Sequence, residues 1–418
     1  MIEKEQVKFD ISNVLITLLI LSSFFPFIQI IPLGTDSQPY ALMVSMIIFP
    51  FYFNRKINLS LFLLFVIAIF SIAVLFFSKI DFGSIRSLIN YVSLFIISYV
   101  TYKCFKFTNG LNYKIFKNVV YTWFAIGTIQ TFVYSNFLSF LLPRGSSEAT
   151  IESGRGVVCL APEPTFYGIV CVLFIMIGYL NFRDYKGIKK IYTLLLIQIF
   201  IYARSSLVIL MIFACLLIYA FASFMAKKKN KFKIIFTVSL FLFILISVIN
   251  NYSEQISGIR IGKILTLMLE NPDKLVLIDD SINERFVHLF FPLYGFIENW
   301  GLPHGYSQYA DFMATCYNNP DLNYLVTDYT LKNKIIRIMS GWGSILFELG
   351  AVGLLLLYVI IKNLKIVIEG KMRYVIILGF IGLLANAVSF ATALLPFIIG
   401  NIIYLAEKKK ENLYENSI

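Results

Sequence analysis

Charge is scarce in this sequence. Only 14% of its residues are charged, against about a quarter in an ordinary soluble domain. Histidine is nearly missing, with two in 418 residues. The five cysteines (Cys104, Cys159, Cys171, Cys215 and Cys316) form no CxxC pair. Together these shortages argue against a structural zinc site. A disulfide stays open only for Cys159 and Cys316, which both fall in segments read as outer loops. There is no DxD motif, no GxxxxGK loop and no Ser/His/Asp arrangement. Metal-dependent sugar-nucleotide chemistry and nucleotide hydrolysis therefore lack their parts, and no cofactor is expected. No internal repeat or low-complexity linker is evident.

What the chain has is apolar sequence: 58% of its residues are hydrophobic and its mean hydropathy is +0.78. A single soluble core cannot hide that much apolar surface, so lipid must be much of its solvent. The 41 Phe and 25 Tyr suit lipid-facing and interfacial positions. The expected fold is an all-α polytopic membrane protein. Spans are predicted near Val14–Ile31, Tyr40–Phe53, Leu59–Phe77, Ile85–Tyr102, Asn118–Tyr134, Thr165–Phe182, Ile191–Tyr202, Ser205–Met225, Ile234–Ile249, Gly341–Ile361, Tyr374–Val388 and Thr392–Leu405. The first run has no small-residue cleavage site and reads as a retained helix.

The formal charge of +12 does not point to nucleic acid, because the positive charge sits in short loops between spans. Alternate loops, with both termini, hold 24 basic and 8 acidic residues, while the rest of the chain holds 12 and 16. That split sets both termini in the cytoplasm. Residues 1–250 then carry nine spans with a short outer loop at 135–164. Residues 251–340 form a large extracytoplasmic loop, too long to be a mere connector. Residues 341–418 carry three spans and a cytoplasmic tail. Within the large loop, Ile259–Leu269 fits an interfacial segment. Ser281-Ile282-Asn283-Glu284 fits a capping box, followed by an apolar face of Phe286, Leu289, Phe290 and Leu293 and a kink at Pro292.

Outer arginines are the main chemical signal, since a guanidinium binds phosphate oxygens in a fork. Arg204 turns an apolar hairpin in Tyr202-Ala203-Arg204-Ser205-Ser206, where it either serves a ligand or snorkels to the surface. Arg285 shares a helix face with His288; a solvated charge and a packed core histidine are their plainer readings. His304, in Gly301-Leu302-Pro303-His304-Gly305, is a loop residue or a side chain offered to a pocket. Glu163 precedes Pro164 at a helix start. It is either a cap or a carboxylate held by the helix dipole and by Arg155. Arg86 near Asp81 reads as a structural pair, and Glu348 lies inside a span, where an acid needs a partner.

Four segments together resemble the Wzy-type O-antigen and capsule polymerases, in the superfamily shared with the O-antigen ligases. They are Arg155 with Leu160-Ala161-Pro162-Glu163-Pro164-Thr165-Phe166-Tyr167-Gly168; Ala203-Arg204-Ser205-Ser206; Ser281, Arg285, Pro292, Gly301 and Gly305; and Gly343 to Leu354. Thr165 replaces that family's Ser. Ligases carry a His shortly before the last segment; the matching position here is Met339, which favours a polymerase. The resemblance implies a GT-C-like, metal-independent glycosyltransferase at the outer face of the bacterial cytoplasmic membrane. Its donor and acceptor would be oligosaccharide units on a polyprenyl diphosphate, with membrane lipid around it; whether a chain-length regulator is a further partner stays open. Arg204, Arg285 and Arg155 would bind the diphosphate. Glu163, or failing it His304, would take the acceptor proton. The alternatives are an O-antigen ligase and a lipid-linked oligosaccharide flippase. A flippase should place its charges nearer the membrane midplane.

Overall fold

The structure, a computed structural model, describes residues 2–31, 33, 35–52, 57–144, 147–152, 155–226, 275–278, 280–327, 337–386 and 390–415. Among these residues all regular structure is helical. In chain order the helices are α1 (Ile2–Phe24), α2 (Tyr40–Tyr52), α3 (Leu59–Leu75), α4 (Phe82–Thr108), α5 (Tyr113–Phe132), α6 (Ser147–Glu152), α7 (Pro164–Phe182), α8 (Ile188–Ile197) and α9 (Ser206–Ala226). They continue with α10 (Leu275–Ile278), α11 (Asp280–Glu298), α12 (Tyr309–Tyr317), α13 (Gly341–Leu349), α14 (Leu354–Val367), α15 (Met372–Asn386) and α16 (Leu394–Glu415). The expected span at Ile234–Ile249 and the segment Ile259–Leu269 lie outside the described residues.

Four described stretches are long and apolar enough to cross a membrane: Phe82–Thr108, Pro164–Phe182, Ser206–Phe224 and Gly341–Val367. Asn13–Phe24, Tyr40–Tyr52, Leu59–Leu75 and Met372–Asn386 are apolar but shorter. Only 6% of the Ser206–Phe224 window is buried within the protein. An apolar helix left that bare needs lipid around it. The chain is a helical, membrane-embedded protein.

Local chemistry sets the boundaries. Asp81 starts α4 by accepting the Ser84 amide at 2.7 Å, and left-handed Asn109 ends it. Asn58 and Asn112 cap α3 and α5 in the same way. α1 stops at Phe24 rather than running to Ile31. Pro26 has no amide proton to extend it. α8 continues as a π-helix over Gln198–Ala203. The span expected from Gly341 is interrupted at Gly350–Gly353 by a 3₁₀ turn. Gly350 has φ +61°, and a Cβ there would lie 2.4 Å from the Gly301 carbonyl oxygen. Only glycine lets the 299–304 loop dock onto that break.

α4 is the central column, packed against α2, α3 and α16. The α4–α16 contact is made close by small residues. A Cβ on Gly400 would lie 2.4 Å from the Ser98 carbonyl, and the Ser98 hydroxyl bonds the Pro396 carbonyl at 2.8 Å. The large loop folds α11 and α12 over a small core of Val287, Phe291, Tyr309, Met313 and Cys316, closed by Phe347 of α13. Two loop expectations are corrected. α11 begins at Asp280, so Ser281 is already helical. Its buried face is Val287, His288, Phe291 and Gly295 rather than Phe286, Leu289, Phe290 and Leu293. Phe286 and Phe290 instead stack on one another at the rim. Pro292 is accommodated within the helix. Cys159 and Cys316 are both free, so the open disulfide does not form.

The bundle has two distinct polar ends. One gathers Asp36, Asp81, Arg144, Arg155 and Glu163 with the large loop, and is called here the arginine end. The other gathers Lys106, Glu407, Lys408 and Lys409, and is the lysine end.

Candidate active site at the arginine end

The loop before α7 builds the site. Gln130 of α5, fully buried, holds this loop from below. It accepts the Cys159 amide at 2.7 Å and donates to the Cys159 and Phe137 carbonyls. That grip keeps Cys159 in the left-handed region, φ 54°, a strain on the order of 1–3 kcal/mol. Two residues before Val158, Gly156 passes so close to the π-helix that a Cβ would lie 1.9 Å from the Tyr202 carbonyl. The Val157 amide bonds that carbonyl at 2.9 Å. The backbone of the Arg155 segment is thus laid directly on the Arg204 hairpin. Thr165 ties the two further: Arg155 Nη2 and Ser205 Oγ each lie 3.2 Å from its hydroxyl.

Glu163 occupies the cap position of α7, with Pro164 as the first helical residue, but its side chain makes no capping hydrogen bond. The plain cap reading is therefore set aside. Its carboxylate instead faces two guanidiniums. Arg155 Nη2 lies 3.8 Å from Oε2, and Arg144 Nη2 lies 3.5 Å from Oε1. Arg144 is itself held by Asp36 in a two-pronged pair, 2.8 Å on each prong. That bond raises the Arg144 pKa. The start of α11 lies within electrostatic reach. Burial raises the Glu284 pKa; the adjacent Arg285 opposes this, the Glu163 charge adds to it, and Arg144 opposes it.

The structure thus joins Arg155 and Glu163, as the sequence suggested, and brings Arg204's backbone and the Arg285 turn beside them. Arg204 itself is exposed, in the left-handed region at φ 46°, with Nε bonded to the Ile201 carbonyl at 3.0 Å. His304 is engaged elsewhere. Its ring stacks on Phe347 at 4.2 Å, and Nε2 lies 2.9 Å from the Gly295 carbonyl oxygen. That packing gives it a structural task. His288 is a packed core histidine, as its surroundings implied, and burial lowers its pKa to about 4. The Arg86–Asp81 pair does not form. Asp81 caps α4 and accepts the Ser307 hydroxyl at 2.8 Å. Glu348 finds partners in Tyr91 and Ser87, at 2.6 and 3.1 Å.

Sequence reasoning missed Arg144, Asp36 and Gln130. Arg144 and Asp36 lie in different outer loops, and nothing local marks them as a pair. No family model matches the chain, and no curated protein or solved structure matches it.

Proposed function

We propose that the protein is a glycosyltransferase that joins oligosaccharide units carried on a polyprenyl diphosphate, a polysaccharide polymerase of the Wzy type. The reading rests on Glu163. It is an uncapped carboxylate at the start of an apolar helix, facing two guanidiniums at distances too long for closed hydrogen bonds. In this reading the bundle has about twelve spans in a GT-C-like arrangement. The arginine end faces outward from a bacterial cytoplasmic membrane, and both termini lie inside.

The chemistry follows from the residues. An acceptor hydroxyl oxygen attacks the anomeric carbon of the donor glycan. The bond from that carbon to the diphosphate oxygen breaks, and the polyprenyl diphosphate leaves with the electron pair. The hydroxyl proton passes to the Glu163 carboxylate. Charge grows on the leaving diphosphate, where Arg155, Arg144 and the Arg204 and Arg285 turns supply positive charge.

The test is reconstitution. The purified protein in liposomes, given a polyprenyl-diphosphate-linked oligosaccharide, is expected to yield a ladder of longer glycans and an equal amount of free polyprenyl diphosphate. Transfer of the glycolipid across the bilayer with no new glycosidic bond would make the protein a flippase instead. Transfer of the glycan only onto a lipid A core would make it a ligase.

A further inference from the structure

A recess at the arginine end, lined by Asp81, is left without a task by the chemistry above. It is a cavity of about 380 Å³ between the first turns of α4, the turn after Gly305, and α13. Arg86, Arg337 and Glu348 line it. Arg86 is half-buried. Arg337 keeps an accessible face, yet stands crowded enough that lost hydration lowers its pKa. The two guanidiniums are near enough to repel one another.

Their charge is answered only from a distance. Among the described residues, neither guanidinium has a hydrogen-bond or ion-pair partner. Glu348 lines the recess and its charge acts on Arg337, while its oxygens accept from Tyr91 and Ser87. Asp36 acts on both arginines from a distance, but both its oxygens are held by Arg144. Two like charges held near one another cost free energy, and an anion between them removes that cost.

The recess does not end at the charges. Phe82 and Arg86 also line an apolar groove of about 250 Å³. Ile85, Ile89 and Ile97 of α4 continue it, opposite Leu42 of α2. At about 1.5 Å per residue the stretch from Arg86 to Ile97 descends ~16 Å along the helix. The recess that suits a polyanion thus shares Phe82 and Arg86 with a groove that suits hydrocarbon. The two guanidiniums match a diphosphate better than the single charge of a phosphodiester. One narrow groove suits one isoprenoid chain rather than a pair of acyl chains.

We infer that this recess and groove hold a second polyprenyl diphosphate, its phosphates between Arg86 and Arg337 and its chain along Ile85, Ile89 and Ile97. Its assignment to the acceptor lipid rests on the polymerase reading, in which two lipid-linked substrates meet; the binding itself does not.

The experiment uses the full chain in nanodiscs of phosphatidylethanolamine and phosphatidylglycerol, titrated with radiolabelled undecaprenyl diphosphate. Wild type is expected to bind two equivalents. The double variant R86Q/R337Q is expected to bind one, with the lost site weakened at least tenfold. Ile89→Trp fills the groove from a position that is 43% exposed, so it is expected to lose the same equivalent with both arginines intact. Melting temperature checks that each variant is folded. Two equivalents retained by either folded variant would overturn the recess and leave the polymerase reading standing. So would loss of the second equivalent as the phosphatidylglycerol fraction of the nanodisc is raised, which marks an ordinary phospholipid site. Inorganic diphosphate competing as well as the lipid would overturn the groove's part. The converse is separable: loss of one equivalent in R86Q/R337Q, with no ladder from lipid-linked oligosaccharides, keeps the site and removes the polymerase.

Discussion

Glu163 and Glu407 make a near-matched pair. Each is a carboxylate at one end of the bundle, with 30% and 26% of its side chain exposed. Their surroundings differ. Glu407 is enclosed: Lys106 at 2.6 Å, the Tyr102 hydroxyl at 2.7 Å and the Asn58 amide at 3.0 Å all donate to it. Nearby, Lys408 donates to Asn109 at 2.7 Å and Lys409 pairs with Glu369. The lysine end completes its hydrogen bonds with its own side chains. Among the described residues, Glu163 at the arginine end keeps only long contacts with Arg144 and Arg155, and Arg204 bonds a carbonyl of its own hairpin. Equal exposure thus hides unequal saturation. A carboxylate already surrounded by short donors holds the fold, and one with loose partners is free to take a proton or yield to a ligand.

In the polymerase reading, the largest effect expected from this contrast is on chain extension. Glu163→Gln should lower it by at least about 100-fold, the usual scale for losing a general base, with normal protein abundance. Glu407→Gln should leave extension within about twofold and instead cost stability, on the order of 1–3 kcal/mol for disturbing a charged hydrogen-bond hub. Glycan ladders alongside melting curves read both. If the two variants exchange phenotypes, the contrast is wrong.

Arg204 sharpens the comparison, and its effect should be smaller. Its left-handed backbone lets glycine remove the guanidinium without strain. Arg204→Gly should lower extension by about tenfold, the scale of one lost charge-assisted hydrogen bond, while melting no earlier than wild type. Arg204→Lys should recover little, because the fork is lost. Long chains made at the normal rate by Arg204→Gly would show a charge that only snorkels.

The smallest effect separates the loop unit from the lysine end. His288 is buried uncharged, with its pKa lowered to about 4 from an unfolded value near 6.5. Between those two values the unfolded chain binds a proton that the folded chain does not. Stability therefore rises with pH across that window and is lost as pH falls through it. From pH 7 to 5.5 the loss is on the order of 1 kcal/mol. The drop in melting temperature should shrink in His288→Gln. An unchanged drop would assign the acid sensitivity to another group.

Much of the frame was legible in the sequence. Apolar runs located the helices, and Pro164 after Glu163 located the start of α7, because both are local signals. The Arg155–Glu163 contact was also legible, since both lie on one short loop. What escaped was set by distance along the chain. Arg144 meets Asp36 across 108 positions, and Arg86 approaches Arg337 from the far side of the large loop. The face of α11 was misread for a different reason. Its aromatic stripe looked like the core, but the small Gly295 lets Phe312 and Phe347 close in, where a Cβ would meet each at 2.9 Å. Close approach, rather than bulk, chose the buried side.

Asp36 couples the Glu163 cluster to the recess. It neutralises Arg144 by contact and influences Arg86 and Arg337 from afar. One negative charge cannot answer both groups at full strength. A diphosphate that displaces it from Arg144 releases it toward the recess, where it competes with whatever anion sits there. The two pockets are then thermodynamically linked, and linkage is reciprocal: each occupant weakens the other by the same factor. In a reaction that leaves a spent diphosphate behind, such mutual weakening favours turnover, because the arrival of the next lipid loosens the old one. The loop between α1 and α2 would then act as a clearing device, tied to the reaction through electrostatics alone.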